Sequence, residues 1–246
     1  ALILKVHRSN FYIEGFVGEP DIQEIAKVAH DHGVPLIEDL GSGAMMNTDD
    51  LAPIEHEPTP QECLRRGIDL VIFSGDKLLG GPQSGIIGGN AELVAQIKKE
   101  PFFRAVRCDK LILTTLQESI DQYLETKANP TQSDVPVLAF LRTETDALKV
   151  RAQAIITSLP DLESQIEIAE TLARPGGGTM PRSEFPSIAL KIIPGTQSVP
   201  KLAKKLRLGT PAIVGYTTDD ALFLDLRTIF PETDPSVTAA LKAALV

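Results

Sequence analysis

Apolar positions change rhythm along this chain, from short runs near its start to helical and alternating repeats further on. Ala1-Leu2-Ile3-Leu4-Lys5-Val6 opens as a strand, and Asn10 to Pro20 follows as a loop. Asp21 then stands as the N-cap of a helix whose Ile22, Ile25, Ala26 and Ala29 share one face until Gly33 closes it. Val34 to Asp39 is the next strand, so this segment predicts a β-α-β unit with a parallel crossover. Met45 to Pro60 is rich in acids and prolines without a period, and is expected to be an exposed active-site loop. A short helix over Gln61 to Arg66 leads to Leu70 to Ser74, whose nearly unbroken apolar side chains have the pattern of a strand covered on both faces. Ser84 to Gly88 returns as a strand and Ala91 to Lys99 is a helix.

Beyond Asp109 the pattern predicts a smaller α+β domain. Leu111 to Leu124 and Val137 to Leu159 are long helical patterns joined by the polar linker Thr126 to Asp134. Ile166 to Ala169 and Ile188 to Ile192 alternate as half-exposed strands, with Gly176-Gly177-Gly178 between them as a hairpin or turn rather than a phosphate cradle, since no helix start follows. Val199 to Leu206 is a helix, Ala212 to Tyr216 and Leu222 to Leu226 are paired strands, and Thr238 to Leu245 is a final helix.

The candidate chemistry gathers on Val71 to Gly89, VIFSGDKLLGGPQSGIIGG. Lys77 sits three residues past Ser74, in a turn where Gly80, Gly81 and Pro82 rule out a regular helix. Its amine would act as a nucleophile toward a carbonyl if partial burial or a nearby cation lowered its pKa. The turn chemistry alone leaves open a surface lysine in a hairpin loop. The strand at Val34 shifts that balance, because it delivers Glu38-Asp39 to its C-terminal end just before Leu40-Gly41-Ser42-Gly43. Ligands of open α/β sheets lie beyond the carboxyl ends of strands, so Asp39 and Lys77 are expected to converge on one crevice. An acid and an amine so placed suit pyridoxal phosphate: the lysine binds the aldehyde, and the aspartate keeps the ring nitrogen protonated. Arg104 and Arg107, three apart, would share a helical face and hold two oxygens of an anion, the alternative being solvated arginines beside Glu100.

Composition narrows the classes. The chain has 246 residues with 43% hydrophobic content, enough for one large domain or two modest ones. No run approaches the roughly 20 apolar residues of a membrane span, and Ala1 begins without a signal pattern, which points to the cytoplasm. Cys63 and Cys108 are isolated, against a disulfide framework or zinc site, and His7, His30, His32 and His56 are scattered. The i,i+2 spacing of His30 and His32 turns their rings apart on a helix. A net charge of -9 leaves no overall basic field for nucleic acid.

The motifs FSGDKLLGGPQSGI, LKVHRSNFYIEGF and EDLGSG resemble those of the bacterial selenocysteine synthases, the L-seryl-tRNA(Sec) selenium transferase family. Further similarity runs through GGGTMP at Gly176 to Pro181, LRLGTPAIVG at Leu206 to Gly215 and LFLDLRT at Leu222 to Thr228. The resemblance implies the C-terminal portion of an α/β fold-type I pyridoxal phosphate enzyme. Residues 1–107 would be part of the cofactor-binding large domain, a mostly parallel sheet with helices, and 108–246 a small α+β domain. It implies conversion of seryl-tRNA(Sec) to selenocysteyl-tRNA(Sec) through a dehydroalanyl intermediate, with selenium from selenophosphate. Lys77 would anchor the cofactor and take the α-proton, Asp39 would hold the ring nitrogen, Ser74 would bond the phosphate and Ser42 would lie near the ring. Asp76 would orient Lys77 or handle protons, and Arg104 with Arg107 would bind phosphate or selenophosphate. Family members also carry an N-terminal tRNA-gripping domain and the first half of the cofactor domain, so the resemblance implies a fragment or one piece of a split gene. By fold analogy a homo-oligomer is expected, a dimer or a multiple of dimers.

Two departures from the family pattern stand out. Arg8-Ser9-Asn10-Phe11-Tyr12 occupies the place of T-S-N-Y-R, and Tyr216 that of an arginine. Two other functions therefore stay open: a related pyridoxal phosphate lyase acting on small amino acids or amino sugar acids, and a non-catalytic remnant of the same fold.

Overall fold

The computed structural model describes residues 1–128, 135–195 and 197–245. It divides into two compact units, the first made of 1–141 with 174–183, the second of 142–173 with 184–246.

The first unit begins with β1 (Ile3–Val6), α1 (Ile22–Asp31) and β2 (Leu36–Gly41). Asp21 caps α1, its carboxylate accepting from the backbone N–H of Gln23 at 2.7 Å and of Glu24 at 3.4 Å. α2 (Pro60–Arg65) starts in a reciprocal capping box between Thr59 and Glu62. β3 (Leu70–Ser74) and β4 (Gly85–Gly89) complete a sheet of order β1-β2-β3-β4, parallel from β1 to β3 and antiparallel at β4. Ile22, Ala26 and Ala29 of α1 and Cys63 of α2 bury one face of this sheet against Leu36, Leu40, Val71 and Phe73.

β3 itself is buried on both faces as expected, with Leu70 at 2% on one and Val71 and Phe73 at 1% and 7% on the other; β1 is open on the Leu70 face. Leu2, Leu4 and Val6 are more than half exposed, at 53%, 54% and 61%, and Ile72 is only partly buried.

α3 (Ala91–Lys99) is capped by Asn90, and α4 (Phe103–Val106) is a single turn. α5 (Lys110–Ala128) is longer than the Leu111 to Leu124 expectation. It belongs with the first unit because Tyr123 packs with Leu79, Val135 and Leu138, the last on α6 (Pro136–Arg142). Residues 129–134 of the expected linker lie outside the described residues.

The segment 45–60 is not the exposed loop its composition suggests. Thr48 and Glu57 are buried; the Thr48 hydroxyl donates to Glu55 O at 2.6 Å and accepts from Glu57 N at 2.9 Å. His56 bridges Asp49 at 2.8 Å and Glu62 at 3.2 Å. Its pKa is raised, chiefly by the hydrogen bond to Asp49, and that same bond lowers Asp49.

In the second unit, the helix expected over Val137 to Leu159 is broken: α6 ends at Arg142 and α7 spans Thr145–Thr157. Buried Arg227 donates to Thr143 O at 2.7 Å, satisfying a carbonyl that the break releases. β5 (Ile166–Ala173), β6 (Phe185–Ile192), β7 (Tyr216–Thr218) and β8 (Ala221–Asp225) form an antiparallel sheet of order β5-β6-β8-β7. The strand expected over Ala212 to Tyr216 therefore begins only at Tyr216, whose ring stacks on Phe223 at 5.2 Å. α7, α8 (Val199–Arg207) and α9 (Asp234–Leu245) cover one face of this sheet around Leu190, Ile192, Leu222 and Leu224. Arg151 ties α7 to the start of α9, with contacts of 2.7 and 3.0 Å to the Asp234 carboxylate.

Candidate active site

The lysine turn is built by its glycines. Gly75 N bonds Ser84 O at 2.9 Å, Gly81 N bonds Gly75 O at 2.8 Å and Gly80 N bonds Lys77 O at 2.8 Å, closing the chain on itself between β3 and β4. A Cβ on Gly75 would meet Ser84 Oγ at 2.3 Å and Pro82 O at 2.7 Å, so no other residue fits this turn. Two contacts place the turn against its surroundings: Leu78 N donates to Ser42 O at 3.0 Å, and the Tyr123 hydroxyl to Leu78 O at 2.8 Å.

These bonds bring the half-buried Lys77 to the carboxyl end of β2. A Cβ on Gly41 would lie 3.6 Å from Lys77 Nζ and 2.8 Å from Ser9 Oγ, and Gly41 has φ +67. Amine and hydroxyl therefore meet at a spot only a glycine leaves open. Asp39 lies two residues before Gly41, on the face of β2 opposite Leu36, Glu38 and Leu40. Ile72 of β3 pairs with Asp39 in register, and strand alternation puts Ser74 on that same face. Asp39 and Ser74 thus share one face of the sheet, and the Lys77 amine lies against Gly41 and Ser9 at the carboxyl end of β2.

Ser42 is fully buried, and its Oγ has no hydrogen-bond partner. A buried hydroxyl left unpaired is costly, so this atom marks a place prepared for a polar group. Asp76 is exposed on the lysine turn. Arg104 falls within α4, while Arg107 is its extended C-cap residue; both side chains are exposed, and neither makes a hydrogen bond or ion pair among the described residues. Arg107 keeps a helical φ of -65 and its N–H bonds Phe103 O at 3.0 Å, so it still closes the turn that carries Arg104.

Sequence reasoning missed two contributors. Ser9 lies inside the LKVHRSNFYIEGF motif, and Gly178 inside GGGTMP, but neither carried a role. A Cβ on Gly178 would lie 3.2 Å from Lys77 Nζ, so the glycine turn expected between β5 and β6 is also a wall of this crevice. Next to it, His7, Arg8, Tyr12, Glu57 and Arg182 line a cavity of about 200 Å³, in which the Arg182 guanidinium stacks on Tyr12 at 4.6 Å. His7 and His30 pair with different acids, Glu57 and Asp69, each at 3.0 Å. No helix among the described residues is long and apolar enough to cross a membrane.

The chain matches the L-seryl-tRNA selenium transferase family (SelA) over residues 1–230. It is 39% identical over 246 residues to the L-seryl-tRNA(Sec) selenium transferase of Aquifex aeolicus, covering 100% of this chain and 54% of that protein. The enzyme of the same name from Carboxydothermus hydrogenoformans is 40% identical over 233 residues, covering 94% and 49%. The chain thus spans about half the length of the relatives it matches. Among solved structures, D-glucosaminate-6-phosphate ammonia-lyase superposes with a TM-score of 0.58 at 17% identity, over 100% of this chain and 57% of that one. That likeness concerns the fold, and the architecture is the fold-type I class expected from sequence, a parallel-containing sheet followed by an antiparallel one.

Proposed function

This chain belongs to the L-seryl-tRNA selenium transferase family, and from that premise we propose that it carries the lysine-bearing part of a pyridoxal phosphate-dependent selenium transferase. Its reaction is the conversion of seryl-tRNA(Sec) to selenocysteyl-tRNA(Sec), with selenophosphate as donor. The observation that carries this reading is the Lys77 amine at the end of β2, framed by Ser9, Gly41 and Gly178, with Gly41 two residues past Asp39.

The residues present fit the cofactor. Gly41 and Gly178 leave open space around the amine that a Cβ would fill, and the unpaired Ser42 Oγ awaits a polar partner. Lys77 would hold the aldehyde carbon, Asp39 the ring nitrogen, Ser74 the phosphate, and Ser42 a polar edge of the ring. When bound, pyridoxal phosphate supplies an electron sink for the substrate carbanion. The protein's own part is proton handling and orientation. The Lys77 amine takes the proton from the seryl α-carbon as a general base, and Asp76, exposed on the same turn, passes protons between Lys77 and solvent. Arg104 and Arg107 carry the unpaired positive charge that suits an anionic donor. A homodimer, or a multiple of it, is proposed as the working assembly.

The test has two stages. The purified chain, alone and with the rest of the relatives' length supplied in trans, should give the visible absorbance of lysine-bound pyridoxal phosphate, and Lys77→Ala should abolish it. Seryl-tRNA(Sec) and selenophosphate should then yield selenocysteyl-tRNA, and replacing Arg104 and Arg107 together by alanine should weaken use of the donor without loss of the band. No band under either condition overturns the cofactor assignment. Ammonia release from small amino acids without a tRNA product would make the protein a lyase.

A further inference from the structure

A glycine stands beside the tip of Lys77. A Cβ on Gly178 would lie 3.0 Å from Lys77 Cε, 3.2 Å from Nζ and 3.4 Å from Cδ, closer than side chains normally approach, and Gly178 has φ +91. Its neighbours differ. Gly176, at φ +105, and Gly177 would each meet nothing within 4 Å. Contact with the lysine is thus confined to the third glycine of the run. The backbone is fixed just beyond it: Met180, at φ +44, is buried with Ala44 and Leu78. A methionine in the left-handed region persists only where its surroundings hold it there. Ser183 N bonds Met180 O at 3.0 Å, and the Ser183 hydroxyl accepts from Glu55 N at 3.2 Å, so the strap is held at its far end too.

We infer that Gly178 is a positioning residue for Lys77. Its missing side chain leaves the volume that the last three lysine atoms occupy, and the strap anchored at Met180 holds the Gly178 backbone as a wall that aims the amine toward Ser9 and Gly41. The inference rests on Lys77 being the reactive amine; it does not require a bound cofactor.

Three alanine variants separate contact from backbone strain. Gly178→Ala adds both, Gly176→Ala adds strain alone, and Gly177→Ala adds neither. Lys77 reactivity is read by reductive methylation with formaldehyde and cyanoborohydride, followed by peptide mass spectrometry with exposed Lys98 and Lys99 as internal references. Gly178→Ala should change Lys77 modification by about 2- to 10-fold, the size expected when a side chain is driven off its rotamer, while the other two leave it unchanged. A double-mutant cycle covers poor folding. Gly178→Ala should lower Tm by about 2–4 °C more when Lys77 is present than in a Lys77→Ala background, where the crowded atoms are gone. Equal Tm losses in both backgrounds, failure to fold in both, or equal methylation changes in Gly177→Ala and Gly178→Ala would overturn the inference. A wild type that gives no cofactor band, yet shows the Gly178-specific change in methylation, would sink the cofactor reading alone. A normal band in Gly178→Ala with uncoupled Tm values would sink the positioning role alone.

Discussion

Replacing Lys5 with methionine should destabilise the first unit by about 3 kcal/mol, through the charge it leaves behind. Lys5 on β1 stands opposite Glu38 on β2 in parallel register, and its ammonium pairs with the Glu38 carboxylate. The Glu38 side chain is 3% exposed and that of Lys5 is 23% exposed. Removing one partner of a buried pair costs about 3–5 kcal/mol, and the partial exposure of Lys5 places this case at the lower end. The thiol of Cys63, which also hydrogen-bonds Glu38, cannot replace a neutralising cation. Hence the double variant Lys5→Met with Glu38→Leu should recover most of the loss, to within about 1 kcal/mol of wild type, because it buries no orphaned charge. Urea unfolding followed by far-UV circular dichroism measures this, with an unchanged slope as the check that only stability has moved. A Lys5→Met cost below about 1 kcal/mol, or a double variant as unstable as the single one, would refute the electrostatic account.

Two further outcomes follow from titratable groups near the site. Burial, then the Glu38 charge, pushes the Cys63 thiol from 9.0 up to about 12. At pH 8 that removes about a thousandfold of its thiolate, so iodoacetamide should label Cys108 in the folded protein and Cys63 only after unfolding; equal rates would contradict it. The His56 clasp has a defined pH window. A raised His56 contributes stability fully below its unfolded 6.5 and loses it as pH climbs through the higher folded value. Lowered Asp49 and Glu62 contribute above their unfolded 3.8 and 4.5 and lose that contribution as pH falls through the lower folded values. His56→Gln should therefore speed hydrogen exchange in segment 45–60 most between about pH 4.5 and 6.5, with the difference from wild type fading as pH climbs through the raised His56 value. A difference that does not change with pH would remove His56 from the clasp.

Much of the site was legible in the chain because its chemistry is local. Asp21 and Thr59 cap helices through atoms two or three residues away, and the lysine turn closes on its own glycines. The Val34 to Asp39 run and the Leu70 strand likewise declared two parallel neighbours whose carboxyl ends meet.

What sequence alone determined is therefore whatever depends on a residue's near neighbours: the strands and helices in order, the turn that exposes Lys77, and the acid at the end of β2. Tertiary structure alone decided which distant segments meet. Gly176 to Gly178 read as a plain turn, since nothing around them in the chain names Lys77 as their neighbour. The helical period ran through Thr143 because it takes no account of Arg227, whose buried guanidinium accepts the break. The apolar run of β3 marked a strand buried on both faces, as it is, but hydrophobicity records that a side chain avoids water without recording which chain segment shields it.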